Sequence, residues 1–189
     1  MKDLADHLFD ILENSVTAGA TEVKVILDFH NNIFFCEIKD NGRGVKSEDV
    51  TDPFVTSRKE RKVGLGLPLL KKTAENTDGF LRISKLKGTG TSLKFETDIS
   101  HIDAKPFGNL AKVFVDAMRS WPEINFEVLI KGEKGKNEQV LNTKEIRDTM
   151  GLSDIRHKEI QNFVYQSIDK ELKRIGINTQ FGNKYKGEL

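Results

Sequence analysis

Two side chains near the start of the chain have the types and spacing used in metal-dependent phosphate chemistry. Asp10 and Asn14 are four residues apart in a stretch of helical periodicity, so they are neighbours on one helix face. An asparagine carbonyl oxygen suits a magnesium ion that bridges phosphates, because magnesium takes hard oxygen ligands and few of them from the protein. A carboxylate one turn earlier can orient or deprotonate an attacking water. Taken alone, the pair is also typical of a solvated helix face.

A second candidate binding group, Asp40, follows directly after an apolar strand. Its carboxylate can accept a hydrogen bond from an adenine amino group, and Gly42 and Gly44 allow the backbone to approach a base edge. Farther along, a turn at residues 88–90 leads into Thr91, whose hydroxyl can point at the same base. Each of these motifs alone is also typical of an ordinary turn.

A third candidate group is a pair of glycines, Gly64 and Gly66, at the entrance of a predicted helix. Glycines there expose backbone N–H groups, which together with the helix dipole form an anion site for phosphates. The pattern is neither a Walker loop, since no Gly-Lys-Ser or Gly-Lys-Thr follows, nor a Rossmann fingerprint, since a third glycine is absent. The basic residues just before it suit either a γ-phosphate or a solvated loop: Arg58, Lys59, Arg61 and Lys62.

Hydrophobic periodicity predicts the elements that must position these groups. The order is helix, hairpin, long connection, helix and hairpin: helix 3–17, strands 23–27 and 33–38, connection 45–64, a helix from Leu65, and strands 80–84 and 91–96. His7 is assigned to the polar face of the first helix and interpreted as a surface histidine. A layer of helices on one face of a sheet would bury both apolar faces, which indicates an α+β fold with two layers.

Composition shifts after Ile99, and the rest of the chain predicts a small α/β extension. The expected elements are a helix at 107–121, strands at 126–130 and 139–141, a short helix from Lys144 capped by Thr143, and a helix at 156–175. The predicted domains are therefore residues 1–99, an extension at 100–177 and a flexible tail at 178–189.

Composition excludes several classes of protein. The chain has 189 residues with 30 Lys and Arg against 29 Asp and Glu, so a dedicated nucleic-acid binder is not indicated. Cys36 is the single cysteine, which excludes an internal disulfide and a cysteine metal cluster. The N-terminus lacks the apolar core of a secretory signal, and no stretch has the length of a membrane span. These features predict a cytoplasmic protein without a membrane partner.

In their order and spacing, the motifs together resemble those of the Bergerat-fold ATP-binding superfamily, which includes gyrase, heat-shock chaperones, histidine kinases and MutL. The matching segments cover roughly residues 1–98 and are 10–18, 40–44, 53–58, 64–66 and 88–91. The first motif, Glu13-Asn14-Ser15 followed by Ala18-Gly19-Ala20, looks like the MutL version. The Pro53-Phe54 box followed closely by Gly64-Leu65-Gly66 looks like the histidine-kinase version. The resemblance implies a mixed sheet with helices on one face.

The resemblance also implies roles for individual residues. Asn14 would ligate magnesium, Asp40 would read the adenine amino group with support from Thr91, and the glycines would line base and phosphates. The predicted ATP site is completed by Ala18, Gly42, Gly44, Thr56, Lys62, Gly64, Leu65 and Gly66. Asp10 falls where ATP-hydrolysing members place a glutamate general base. Its shorter side chain predicts slow hydrolysis that a glutamate would raise.

Four functions are compatible with this resemblance. The first is a stand-alone Mg-ATP-binding module whose lid at residues 50–64 is ordered by ATP and regulates an unidentified protein partner. The second is a histidine- or serine-kinase-like enzyme acting in trans, and the third is a slow MutL-like ATPase coupled to dimerisation, so a homodimer is compatible. The fourth is an interaction protein with a decayed site. Some stand-alone proteins that look like this are encoded beside iron hydrogenase subunits, which associates the partner with redox metabolism.

Overall fold

The computed structural model describes residues 1–45, 66–132, 137–150 and 155–177. These residues form helices and strands in the predicted order. The helices are α1 (Leu4–Thr17), α2 (Gly66–Glu75), α3 (Leu110–Ser120), α4 (Thr143–Met150) and α5 (Lys158–Arg174). The strands are β1 (Glu22–His30), β2 (Ile33–Asp40), β3 (Phe80–Lys85), β4 (Thr91–Asp98), β5 (Asn125–Gly132) and β6 (Asn137–Asn142).

The strands form one mixed sheet in the order β3-β4-β2-β1-β5-β6, with β1 and β5 parallel and the other neighbours antiparallel. Burial alternates along β1: Val25 and Leu27 are fully buried, whereas Lys24 and Asp28 beside them are half-buried. The buried face joins the apolar sides of the helices in one core, and the other face carries charged rows. The predicted two-layer α+β fold is confirmed.

Helix α1 is fixed to the sheet by an apolar stripe and defined by its caps. Asp3 caps its start, because its carboxylate accepts the backbone N–H of Asp6. The stripe follows the helical period and is buried: Leu4, Leu8, Ile11 and Leu12. At the other end, Gly19 adopts φ +79°, a left-handed conformation that suits glycine and ends the helix. The polar face of α1 is thereby held at the edge of the core.

The residues after Ile99 build onto the same sheet and core. β5 pairs with β1 in parallel, and the segment before α3 bonds to the start of α1 through Leu4 N–H to Pro106 O and Ala5 N–H to Phe107 O, both at 2.9 Å. The ring of Phe107 also packs edge-on against Phe29 at 5.5 Å between centroids. The described residues after 99 therefore share an apolar core with those before it. The domain boundary at residue 99 stays a prediction.

One capping prediction was wrong. Thr143 is the first residue of α4, and its fully buried hydroxyl accepts from Phe126 N–H at 2.9 Å and donates to Ile124 O at 3.3 Å. The preceding residue, Asn142, caps the helix instead by accepting from the backbone N–H of Lys144 at 3.1 Å. The hydroxyl turns inward because Ile124 O and Phe126 N–H, on either side of the first residue of β5, need hydrogen-bond partners inside the core.

Candidate functional site

The Asp40 carboxylate is the centre of the site. It lies at the end of β2 and is only 7% exposed. Gly42 N–H donates to Oδ1 at 2.9 Å and Thr91 N–H donates to the same oxygen at 3.3 Å, while the Ser15 hydroxyl donates to Oδ2 at 3.0 Å. A carboxylate has about four acceptor positions, so Oδ2 keeps one position for a further N–H donor. Among the described residues no donor occupies that position, which is open to a donor group of a ligand.

Ser15 is a site residue that sequence reasoning missed. It is 4% exposed, lies on α1 and joins the helix to the end of β2 through its bond to Asp40. The signal was present, because Ser15 follows Ile11 by four residues and so lies on the buried stripe. A hydroxyl on an otherwise apolar stripe needs a polar partner inside the fold.

Asn41 is a second missed residue, and it holds the loop after Asp40 in place. Its side-chain oxygen accepts from Thr21 N–H at 2.8 Å and Glu22 N–H at 3.0 Å, and its amide donates to the Thr21 hydroxyl at 2.9 Å. On the other side, Arg43 N–H donates to Ala18 O at 3.0 Å. The loop is thereby tied to both the end of α1 and the start of β1.

The predicted glycines bring backbones into contact. A Cβ on Gly42 would lie 2.9 Å from Ala18 O, and a Cβ on Gly44 would lie 2.9 Å from Gly90 O. Gly90 has φ +105°, and a Cβ there would lie 2.0 Å from Asp40 O. Only glycine allows this approach without a shift. The structure therefore brings together the N-terminal helix, the loop after β2 and the turn before β4.

Thr91 enters the site through its backbone. It pairs with Asp40 across β2 and β4, and its N–H makes the 3.3 Å bond to the carboxylate described above. The predicted contact of its hydroxyl with a base stays a prediction.

Asp10 and Asn14 are neighbours on α1, and Asp10 lies against the start of α2. The Asn14 amide donates to Asp10 Oδ2 at 3.4 Å, and both residues are half-buried. A Cβ built on Gly66, the first residue of α2, would lie 1.7 Å from Asp10 Oδ2. The carboxylate therefore rests against the glycine, next to the positive end of the α2 dipole. The carboxylate fits there because Gly66 has no side chain.

A small core cavity beneath α1 and α2 and a surface groove between α1 and α3 both lie apart from Asp40. The candidate site is thus defined by hydrogen bonds and close backbone approach.

Comparison with known proteins identifies the family. A family model described as histidine kinase-, DNA gyrase B-, and HSP90-like ATPase matches residues 2–101, which is more than half of the 189-residue chain. The chain belongs to this family. It is an ATP-binding domain with a histidine-kinase-like ATPase fold, as the resemblance of its motifs implied.

Two solved structures share the ATPase fold. "Crystal Structure of N terminal domain of a DNA repair protein" is 15% identical with a TM-score of 0.54, over 75% of this chain and 53% of that one. The Aquifex aeolicus MutL ATPase domain complexed with ADP is 15% identical with a TM-score of 0.50, over 80% of this chain and 70% of that one. At this identity the likeness shows the fold alone.

A curated relative is similar over part of its length. A putative sensor protein of Shewanella frigidimarina (strain NCIMB 400) is 34% identical over 100 residues. The match covers 49% of this chain but only 15% of the relative.

The ATPase domain contains residues of the right type to hold magnesium. The family comparison does not itself show magnesium binding. Magnesium takes one or two protein oxygen ligands and completes its shell with water and substrate phosphates. Because the Asn14 amide nitrogen faces Asp10, its carbonyl oxygen faces another direction, and that oxygen is a suitable ligand. The donor set therefore fits magnesium, with Asn14 as the residue that would hold it.

His7 is not the surface histidine that the sequence predicted. It is 2% exposed, and burial followed by the nearby Lys105 ammonium lowers its pKa from 6.5 to about 4. The prediction was wrong because His7 follows Leu4 by three residues and precedes Ile11 by four, so it borders the buried stripe.

The other predicted contacts of the ATPase domain lie outside the described residues: Thr56, Lys62, Gly64, Leu65, the basic residues 58–62 and the lid at 50–64. They stay predictions. Among the helices described, none has the length and apolar character needed to cross a membrane.

Proposed function

We propose that this domain binds Mg-ATP and works as a nucleotide-dependent switch on a protein partner. Adenine would donate its amino group to Asp40 Oδ2, magnesium would be held by Asn14, and the phosphates would lie at the start of α2 by Gly66. The observation that carries the proposal is the buried Asp40 carboxylate with its three protein donors. The carboxylate is held by donors from α1, from the loop after β2 and from the start of β4, and its Oδ2 keeps one acceptor position.

Contact between α1 and α2 supports the switch. Asp10 on α1 rests against Gly66 on α2, so phosphates placed at the start of α2 would also meet a residue of α1. Negative phosphate and the negative Asp10 carboxylate repel each other unless magnesium lies between them. Nucleotide binding at this point would therefore change the contact between two helices of the core. A partner protein could detect such a change. The putative sensor protein that is similar over 100 residues is consistent with a regulatory role.

The proposed switch predicts a change in hydrogen exchange. Binding of Mg-ATP is expected to slow amide exchange in residues 50–64 and at the start of α2, because phosphates would bind backbone N–H groups there. Mass spectrometry of the exchanged protein measures this, with ATP plus a chelator as the control. Equal exchange with and without Mg-ATP, under conditions where calorimetry shows binding, would leave a static ATP-binding protein and remove the switch.

A substitution at Asn14 tests the metal site separately. In Asn14→Ala the increase of ATP affinity caused by magnesium is expected to disappear, since the carbonyl ligand is gone. The free energy of unfolding should change by less than about 1 kcal/mol, because the side chain is half-exposed and alanine is the better helix former. Titration calorimetry with and without magnesium measures the effect. A variant with the magnesium response of the wild type would show that Asn14 is not the magnesium ligand.

Hydrolysis of ATP is the second candidate function, favoured by the carboxylate of Asp10 at the phosphate end of the site. Asp10→Asn is expected to lower phosphate release on the order of 100-fold, the lower end of general-base effects, and to retain ATP binding. For glutamate, the contact of Asp10 with Gly66 supports the opposite of the expectation from the sequence. Asp10 Oδ2 already touches Gly66, so an added methylene would displace the start of α2 and slow turnover.

Steady-state phosphate release from Asp10→Asn and Asp10→Glu tests this hydrolytic role. Asp6→Asn, on the exposed side of α1, is the matched control. Equal rates in wild type, Asp10→Asn and Asp6→Asn would show that Asp10 is no base, and the switch would be the remaining function.

A further inference from the structure

Within the described part of the chain, one ring nitrogen of His7 has a hydrogen-bond partner and the other has none. Its Nε2 lies 2.9 Å from Lys105 Nζ, and the same ammonium donates to Met1 O at 3.2 Å. The other ring nitrogen, Nδ1, is buried and has no hydrogen-bond partner among the described residues. A buried polar atom in this situation needs an explanation, since almost all such atoms are paired in folded proteins.

The Lys105 contact decides which nitrogen carries the proton. A lysine ammonium has three donors and no acceptor, so Nε2 must offer its lone pair. In a neutral imidazole the proton then resides on Nδ1. The orphaned atom is therefore an N–H donor, and leaving it unsatisfied in the core is costly.

A small cavity lies beside this histidine. It has a volume of about 20 Å³ and is lined by His7 together with apolar side chains of α1, β2, α2, β4 and α3. Those that face it include Leu8, Ile11, Leu70, Leu110 and the thiol-bearing Cys36. A cavity needs roughly 10–15 Å³ on this measure to hold one water, so the space fits one water and excludes a larger ligand.

We propose that this cavity is a binding site for a single internal water, which accepts the Nδ1–H of His7 and donates to the sulfur of Cys36. Two polar partners are the minimum that an internal water requires, and these are the two polar side chains in the lining. The site lies in the core between α1 and α2 and does not involve the proposed nucleotide contacts. Its existence is independent of ATP binding.

Nuclear magnetic resonance of the wild-type protein tests the proposal directly. Two-bond ¹⁵N–¹H correlation should show His7 with its proton on Nδ1 and a bare Nε2. Cross-relaxation spectra should show a water resonance in contact with the Nδ1 proton and with protons of the cavity lining. The proposal is overturned if His7 carries its proton on Nε2, or if no water contact appears and xenon shifts the resonances of Leu8 and Ile11, because a dry apolar cavity binds xenon.

Two variants of His7 test the roles of the two ring nitrogens separately. His7→Gln places an amide near the position of Nε2 and preserves the acceptor for Lys105, while His7→Asn places an amide near Nδ1. The water contact is expected to be lost in His7→Gln and retained in His7→Asn. Retention in His7→Gln would show that the water, if present, is not bound by Nδ1. The wild-type spectra decide the matter if either variant does not fold.

Discussion

Replacing Asp40 with asparagine is expected to lower the affinity for ATP by at least about tenfold. The carboxylate accepts from Gly42 N–H, Thr91 N–H and the Ser15 hydroxyl. An asparagine with its oxygen toward Gly42 and Thr91 would present its NH₂ group to the Ser15 hydroxyl, which can accept it, and to the adenine amino group, which cannot. Flipping the amide would instead turn the NH₂ group toward the two backbone N–H donors. A hydrogen bond to a charged group contributes roughly 1.5–3 kcal/mol, and each 1.4 kcal/mol is a factor of about ten.

Titration calorimetry measures this loss of affinity. Two further variants show whether the loss is specific to Asp40. Ser15→Ala removes one of the donors to Asp40 and keeps the charge, so its affinity should lie between those of wild type and Asp40→Asn. Asp28→Asn changes a half-buried carboxylate on the charged face of β1, which carries no proposed contact with nucleotide, and should bind ATP normally. The assignment of Asp40 to adenine fails if a folded Asp40→Asn protein binds ATP with the wild-type affinity.

The sequence predicted the parts of the fold that depend on local pattern. The helical period of Leu4, Leu8 and Ile11 and the alternation along β1 reappear as buried faces in the structure. Gly42 and Gly44 in the motif after Asp40, and the turn at residues 88–90, were recognised from neighbouring residues alone. These signals are contained within a few neighbouring residues, so they can be recognised before any tertiary contact is known.

Contacts between distant parts of the chain could not be predicted. Lys105 reaches His7 across 98 residues and thereby helps turn an apparent surface histidine into a buried neutral one. In the same way, β5 joins β1 as a parallel neighbour, which no local pattern indicates. Asn41 was missed because it looks like an ordinary turn residue until its partners across the fold are known, whereas the position of Ser15 on the buried stripe was readable from the sequence.

The buried, neutral state of His7 predicts how stability responds to acid. An unfolded histidine has a pKa near 6.5, whereas burial and then the Lys105 and N-terminal charges lower the pKa of folded His7 to about 4. Between these values the unfolded chain binds a proton that the folded protein excludes. The free energy of unfolding should therefore decrease as the pH falls from 6.5 to 4. The contribution of His7 is fully present above 6.5 and lost below 4.

The pKa difference corresponds to a loss of roughly 3 kcal/mol, at about 1.4 kcal/mol for each pKa unit. Carboxylates also destabilise proteins in acid, so the relevant quantity is the difference between wild type and His7→Gln. The substituted glutamine would retain an acceptor for Lys105 but could not take up a proton. Urea unfolding at several pH values should show the wild type losing about 3 kcal/mol relative to His7→Gln between about pH 7 and pH 4. His157→Gln, a substitution of an exposed histidine, should follow the wild type. If the wild-type and His7→Gln curves stay parallel over this range, His7 is protonated in the folded protein and has no depressed pKa.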